Sequence, residues 1–283
     1  MHVFSEGGWK MGLFGDIFDN FSEKYERRKE ARQYRKDAIY YVERGKEIIN
    51  RAYEKASADA RKTETAVHEF NDFRCRTAAN LQTSVYPLLK AFQSFDINSR
   101  IQVPDIDFSK SNYLFNISIS GAIVRPTSYV NISEIFDLFD DSDYYEAKSA
   151  KISAKSFYED MKYHRSLLNE KREKMREIRY FISEQEAVIN SLLEKLVAAN
   201  DTLQEAMKKN LFTQEEADFF TGTAKCAQLI LNLLETKFIV DDYNIEDKSK
   251  MLLEQLKTIN NNLPAAPEIR KSSHIDWHRI ISF

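Results

Sequence analysis

The chain has 283 residues, 30% of them charged, with only 7 Gly and 5 Pro. So few turn-forming residues exclude the loop-rich scaffolds on which most enzymes of this length are built and favour long helices. The formal net charge of -3, from 41 basic and 44 acidic side chains, excludes a chain-wide polyanion binder, so nucleic acid is not an expected partner unless a local patch supplies it.

The first ten residues precede Met11, Gly12, Leu13, Phe14, Gly15 and Asp16, which read as a natural chain start. Asp16, with Asp19 three residues on, is placed to cap a helix. From Ile17 to about Phe95 one long helix is expected, with Pro87 kinking or breaking it near its end because the ring removes a donor and crowds the preceding turn. Its 3-4 seam runs through Ile39, Val42, Lys46, Ile49, Tyr53, Ala56, Ala60, Thr63, Val67, Phe70, Arg74, Thr77, Leu81, Ser84 and Leu88. Residues 1–100 therefore form an N-terminal basic start followed by the first helix.

Residues 101–131 change period. Tyr113, Phe115, Ile117 and Ile119 alternate with Leu114, Asn116, Ser118 and Ser120, and Ile106 and Phe108 alternate with Asp105 and Asp107. A period of two with turn chemistry between the runs predicts a β-hairpin.

Residues 132–211 carry the strongest pattern in the chain. Ala147, Ala150, Ala154, Phe157, Met161, His164, Leu168, Lys171, Met175, Ile178, Ile182, Gln185, Ile189, Leu192, Leu196, Ala199, Leu203 and Ala206 keep one unbroken heptad phase, apolar except at His164, Lys171 and Gln185. A repeat sustained over so many heptads predicts a coiled-coil helix. Glu194 and Lys195 lie off this seam and are expected to matter little to stability. The two long helices, each roughly 115 Å at ~1.5 Å per residue, are expected to close as an antiparallel hairpin with the β-segment at its tip and Ile49 level with Ile178–Ile182.

Residues 212–262 hold two shorter helices that pack on the stalk. The first, from Gln214 to Val240, is opened by Thr213 and Glu216 as a capping box, with Phe220, Ala224, Ala227, Leu231, Leu234 and Phe238 on one face. The second runs from Glu246 to Asn261, with Met251, Leu252, Leu256 and Ile259 inward. Pro264 and Pro267 open a tail over residues 263–283 that is rich in apolar residues: Trp277, Ile280, Ile281 and Phe283. The expected fold class is thus mostly α: a long antiparallel coiled-coil hairpin or helical bundle with a small β-hairpin inserted at the tip.

No P-loop, glycine-paired strand, nucleophile elbow or zinc-protease pair is present, so no enzymatic activity and no cofactor are expected. Cys75 and Cys226 read as small packing residues in a reducing compartment. His274 and His278, four apart, are too few for a metal site. The acidic run Glu134, Asp137, Asp140, Asp141, Asp143 and Glu146 lacks calcium-loop spacing and its glycine, and reads as the acidic first turns of the second helix. Residues 1–20 offer no apolar secretory core, and the longest uncharged run, Ser111–Val124, falls short of the ~20 residues of a spanning helix. A cytoplasmic location, with peripheral membrane attachment as the alternative, follows as an expectation.

Two constellations are candidate contact sites. Phe14, Phe18, Phe21 and Tyr25 share a helical stripe and lead into Lys24, Arg27, Arg28, Lys29, Arg32, Arg35 and Lys36, with Glu26 and Glu30 the acids among them. An apolar stripe leading into a basic run suits an anionic membrane or an acidic protein surface. Tyr113, Phe115, Ile117 and Ile119 are the candidate tip. The function expected is a non-enzymatic coiled-coil interaction or scaffold protein with binding surfaces at the two ends of a helical stalk, partnered by other proteins or by itself through the coiled coil. The alternative is a membrane-active helical protein, remodelling or pore-forming, that uses the N-terminal segment or the β-tip.

Overall fold

The computed structural model describes residues 10–87, 90–91, 118–119, 121, 123–124, 144–208 and 214–262; of residues 10–21, 202–203, 205–207 and 214–220 it describes the backbone alone. Four α-helices account for nearly all of them: α1 Lys10–Asn80, α2 Tyr144–Lys208, α3 Gln214–Glu235 and α4 Asp247–Asn262. The mostly helical class expected from the composition is what the described residues adopt. The chain divides into one unit of residues 1–57 and 123–170 and a second of residues 58–122 and 171–283.

Helix α1 begins at Lys10, ahead of the Asp16 expected to cap it. Gly12 and Gly15 lie inside the helix, where each costs about 1 kcal/mol relative to alanine, so glycine disfavours this start without forbidding it. At its far end the helix meets Pro87 neither by breaking nor by ending. Leu81–Val85 form a π-turn in which the Tyr86 N–H donates to the Leu81 carbonyl, and Tyr86 keeps helical angles. A proline ring crowds the carbonyl four residues before it, here Thr83. Widening the turn just ahead of Pro87 relieves that contact while the helix continues.

In the first unit α1 and α2 run parallel. Tyr34 meets Tyr144 at 5.7 Å between ring centroids and Tyr41 meets Tyr158 at 5.7 Å, both pairs tilted. Asp37 pairs with Lys151 at 2.7 Å, and Gly45 faces Phe157 and Met161. The numbers rise together on both helices, whereas an antiparallel pair would show one falling as the other rises. The buried seam is rich in alanine, with Ala31, Ala38, Val42, Ile49, Ala52 and Ala56 meeting Ala147, Ala154, Phe157, Met161 and Leu168.

The second unit is a bundle to which all four helices contribute. Here too α1 and α2 are parallel: Asp59 reaches Arg172, Thr63 reaches Met175, and Ser84 reaches Asn200, at sequence separations of 113, 112 and 116. Helix α3 runs against them, because Phe238 at its far end meets Phe70 and Phe181 while Cys226 lies near Lys195. Helix α4 runs with α2, Lys257 pairing with Glu184 and Asn260 accepting from Ser191 and Lys195. The antiparallel hairpin expected between α1 and α2 is therefore corrected, and with it the level of Ile49. Same-direction helices require a crossover connection, and residues 92–143 separate the two helices in sequence. In this unit Ile119 donates its N–H to Glu64 at 2.8 Å, level with a turn well before the end of α1.

The α2 seam is inward as its heptads predict: every described member is buried except Ala150, His164 and Lys171, which are half-buried. The α1 seam differs from expectation before Ala60 and again at Ser84, which is exposed while Val85 is buried. Lys46 is exposed, and the buried positions are Val42, Gly45, Ile49, Ala52 and Ala56, followed by Ala60, Thr63, Val67, Phe70, Arg74, Thr77 and Leu81. The step of four from Ala52 to Ala56 is followed by another of four to Ala60, a stutter in the heptad phase. Periodicity read backward from the stronger half missed it because tyrosine and isoleucine also occupy the false positions Tyr53 and Ile39.

Helix α3 buries Ala224, Ala227, Ile230, Leu231, Leu233 and Leu234, and Phe238 beyond its end is buried as well. Burial on both sides of the expected face makes it the central helix of the bundle. It ends at Glu235, earlier than the expected Val240. The chain then makes a short turn closed by Ile239 opposite Ile245, Val240 N–H to the Asn244 carbonyl at 2.9 Å, and Glu246 N–H to the Phe238 carbonyl at 2.9 Å. Helix α4 turns inward Ser249, Leu253, Leu256 and Ile259; Met251 is exposed and Leu252 partly buried. With three apolar residues in succession at 251–253, the helical period alone could not choose among them.

Candidate functional site

The basic segment at the start of α1 is helical throughout, the condition for a side-chain stripe to exist. Side chains are described from Ser22 onward, which leaves those of Phe14, Phe18 and Phe21 outside the described set. Tyr25, the end of their stripe, is 68% exposed. At ~100° per residue, Tyr25, Lys29, Arg32, Lys36 and Tyr40 fall within about 80° of arc, with Arg28 about 40° outside it. All six side chains are exposed. Ala31, Ala38 and Val42, on the packed side of the same helix, are buried. The acids nearby, Glu26, Glu30 and Asp37, fall roughly 100° round from the middle of this face.

The structure therefore sorts the basic residues singled out in the sequence. Arg32 joins Lys29 and Lys36 on one face, and Arg28 flanks it. Arg27 points to the other flank, paired with Glu23 at 2.5 Å, Arg35 is half-buried, and Lys24 is exposed away from the tyrosines. Tyr40 was missed by sequence reasoning, although its spacing of four from Lys36 and eleven from Lys29 places it on their side.

The rest of the first unit holds this face in place. Lys151 sits 5.0 Å over the Tyr34 ring and pairs with Asp37. The Lys151 ammonium, donating to Asp37, holds that carboxyl below its ordinary value with help from Gln33, and Lys151 is held above its own. The Tyr144 hydroxyl is pushed up to about 12, first by its hydrogen bond with Tyr34, then by burial and by Glu30. These contacts anchor the inward side of α1 and leave the cationic side outward.

The candidate tip divides. Tyr113, Phe115 and Ile117 lie outside the described residues. Ile119 is fully buried, with its N–H held by Glu64, and is not available to a bilayer or a partner. No regular strand occurs among the described residues.

A polar node in the second unit was not foreseen. Asp59 accepts from Arg172 Nε at 2.7 Å and pairs with Arg179, and Arg179 also donates to the buried Thr63 hydroxyl at 2.5 Å and to the Asp59 carbonyl at 3.1 Å. These charge-assisted bonds form only in the parallel register. Of the seam interruptions noted in sequence, Arg74 is buried beside Phe70 with a hydrogen bond to the Thr236 carbonyl at 3.4 Å. Gln185 is buried among the apolar residues of α2.

Among the described residues no group of three metal-ligating side chains is assembled, and no helix is long and apolar enough to cross a membrane. His274 and His278 lie outside the described residues, as does the acidic run from Glu134 to Asp143; Glu146 stands in the first turn of α2. No protein-family profile, curated protein or solved structure matches this chain.

Proposed function

We propose that the chain is a non-enzymatic helical interaction protein that docks through the basic, tyrosine-flanked face of α1 on an acidic surface of another molecule. One observation carries the reading: Tyr25, Lys29, Arg32, Lys36 and Tyr40 are exposed together on the side of α1 away from buried Ala31, Ala38 and Val42, with exposed Arg28 flanking them. The heptad seams, which on their own could pair with another chain, are used within this one, so the surface left for a partner is the outward face. We take the parallel seams as a coiled coil whose role is to hold that face straight and rigid. Rigid presentation lowers the ordering cost of binding. The reading of residues 101–131 as an exposed β-tip is not carried into the proposal, because Ile119 is packed against α1.

The test is binding of the full chain to two acidic probes, polyglutamate and anionic vesicles, at low salt. The Arg28→Glu, Arg32→Glu double variant, with helicity checked by circular dichroism, is expected to lose binding. Binding to neither probe by the unaltered chain, or equal binding by the double variant, would sink the reading.

A further inference from the structure

Resting on that reading, we infer that the surface recognised by this face is an anionic lipid bilayer, with the helix lying in the headgroup region rather than crossing it. An acidic protein patch would require only cations. This face has more: Tyr25 is 68% and Tyr40 60% exposed at either end of the cationic stretch. An exposed aromatic ring with a polar hydroxyl is costly in water and well placed at a membrane interface, where its body is apolar and its tip wet.

The arrangement along the helix points the same way. Helical spacing carries the stripe of Tyr25 back through Phe21, Phe18 and Phe14, so that the sequence on one side of a continuous helix is aromatic for about three turns and then cationic for about two and a half. An interfacial helix uses these two parts additively, the aromatic part entering the headgroup and acyl boundary and the cations holding anionic headgroups. No acid lies within the arc between Tyr25 and Tyr40: Glu26 flanks it, pairing with Lys29 at 3.8 Å, and Glu30 and Asp37 lie farther round. A lipid surface is broad and laterally uniform, and a straight cationic face complements it along its whole length. No described helix is apolar enough to span a bilayer, which makes the attachment peripheral.

The experiment is co-sedimentation of the full chain with vesicles of phosphatidylcholine alone and of phosphatidylcholine with phosphatidylserine, run beside polyglutamate binding. Sedimentation is expected with the anionic vesicles and not with the neutral ones, weakening between ~0.1 M and ~1 M salt as screening shortens from about 10 Å to about 3 Å. Arg28→Glu with Arg32→Glu is expected to lower partitioning by at least about tenfold. Tyr25→Ser with Tyr40→Ser is expected to lower the fraction that survives at high salt, and the control Lys155→Glu with Arg165→Glu, two exposed α2 positions, to change nothing. Polyglutamate binding without vesicle binding would overturn the lipid assignment and leave the interaction reading standing. Equal binding to neutral and anionic vesicles, or an equal loss in the control, would overturn the role of this face in lipid recognition.

Discussion

At Gly45 a single hydrogen atom decides the packing. A Cβ there would lie 2.8 Å from the Phe157 ring and 3.4 Å from Met161 Cγ. Alanine would gain up to about 1 kcal/mol of helix propensity but must displace a packed ring, a cost of about 1–3 kcal/mol. Gly45→Ala is expected to destabilise the chain by about 1 kcal/mol in urea unfolding, and Phe157→Leu in the same chain to remove most of that clash; equal losses in both backgrounds would show that the contact is slack. Glu186 is a second sensitive residue. Burial, and then Glu69, push its carboxyl above the ordinary value, opposed by Arg76. A carboxyl raised in the folded state binds its proton more tightly there, so its contribution falls as pH rises from the unfolded value through the raised one. Glu186→Gln is therefore expected to raise stability at neutral pH, with the gain vanishing below the carboxylate range. Unfolding curves across pH check this. Cys226 is buried and its thiol is pushed up to about 12 by that burial, whereas Cys75 is exposed. A thiol reagent is expected to titrate one cysteine in the native chain and two after unfolding. Only Cys226, then, fits the packing role read for both.

At the scale of the element, α2 couples sequence to stability most directly. Ile189 and Leu196 lie in the core shared by the four helices, so replacing either by alanine is expected to cost about 2–5 kcal/mol. Glu194 is exposed and its replacement is expected to cost less than about 0.5 kcal/mol. Lys195, which sequence spacing groups with Glu194, behaves differently because its ammonium donates to the Asn260 carbonyl of α4 at 2.5 Å. Losing that bond is expected to cost about 1 kcal/mol. The α3–α4 connection is the strained element: Asp242 and Tyr243 both hold positive φ, 56° and 60°, where a bulky side chain is a genuine outlier. Lys174 pairs with the Asp242 carboxylate and donates to its carbonyl at 3.2 Å. That grip on α2, together with the ladder bonds either side of the turn, compensates the strain.

For the molecule as a whole, the direction of α2 relative to α1 is the decisive property within each unit. Carbodiimide coupling of acids to nearby lysines is expected to join Asp37 to Lys151 and Glu184 to Lys257, pairs at 2.7 and 3.2 Å. A link from Asp37 to Lys195 in their place would restore the antiparallel hairpin. The parallel arrangement also changes what the intervening segment can be. Between antiparallel helices it would be a turn, free to project as a tip. Between parallel ones it cannot be a simple turn, and the one described part of it that meets α1 in the second unit, Ile119, is buried there.

Periodicity alone determined that the described residues are mostly helical, which face of α2 is buried, and that α3 is apolar enough to be covered. These follow from local repetition, since a residue every three or four positions lands on one side of a helix whatever lies opposite it. The basic start of α1 was legible as a composition. Which of its cations act together was not, because that required knowing the packed side of the helix, and the stutter at Ala56–Ala60 hid the true side upstream. The direction of the helix pair was invisible in sequence for a stronger reason: a heptad seam reads the same from either end, so burial is satisfied equally by parallel and antiparallel partners. The two were separated only by pairs distant in sequence, Asp59 with Arg172 and Arg179, Ser84 with Asn200, and Asp37 with Lys151, which meet in one direction and not the other.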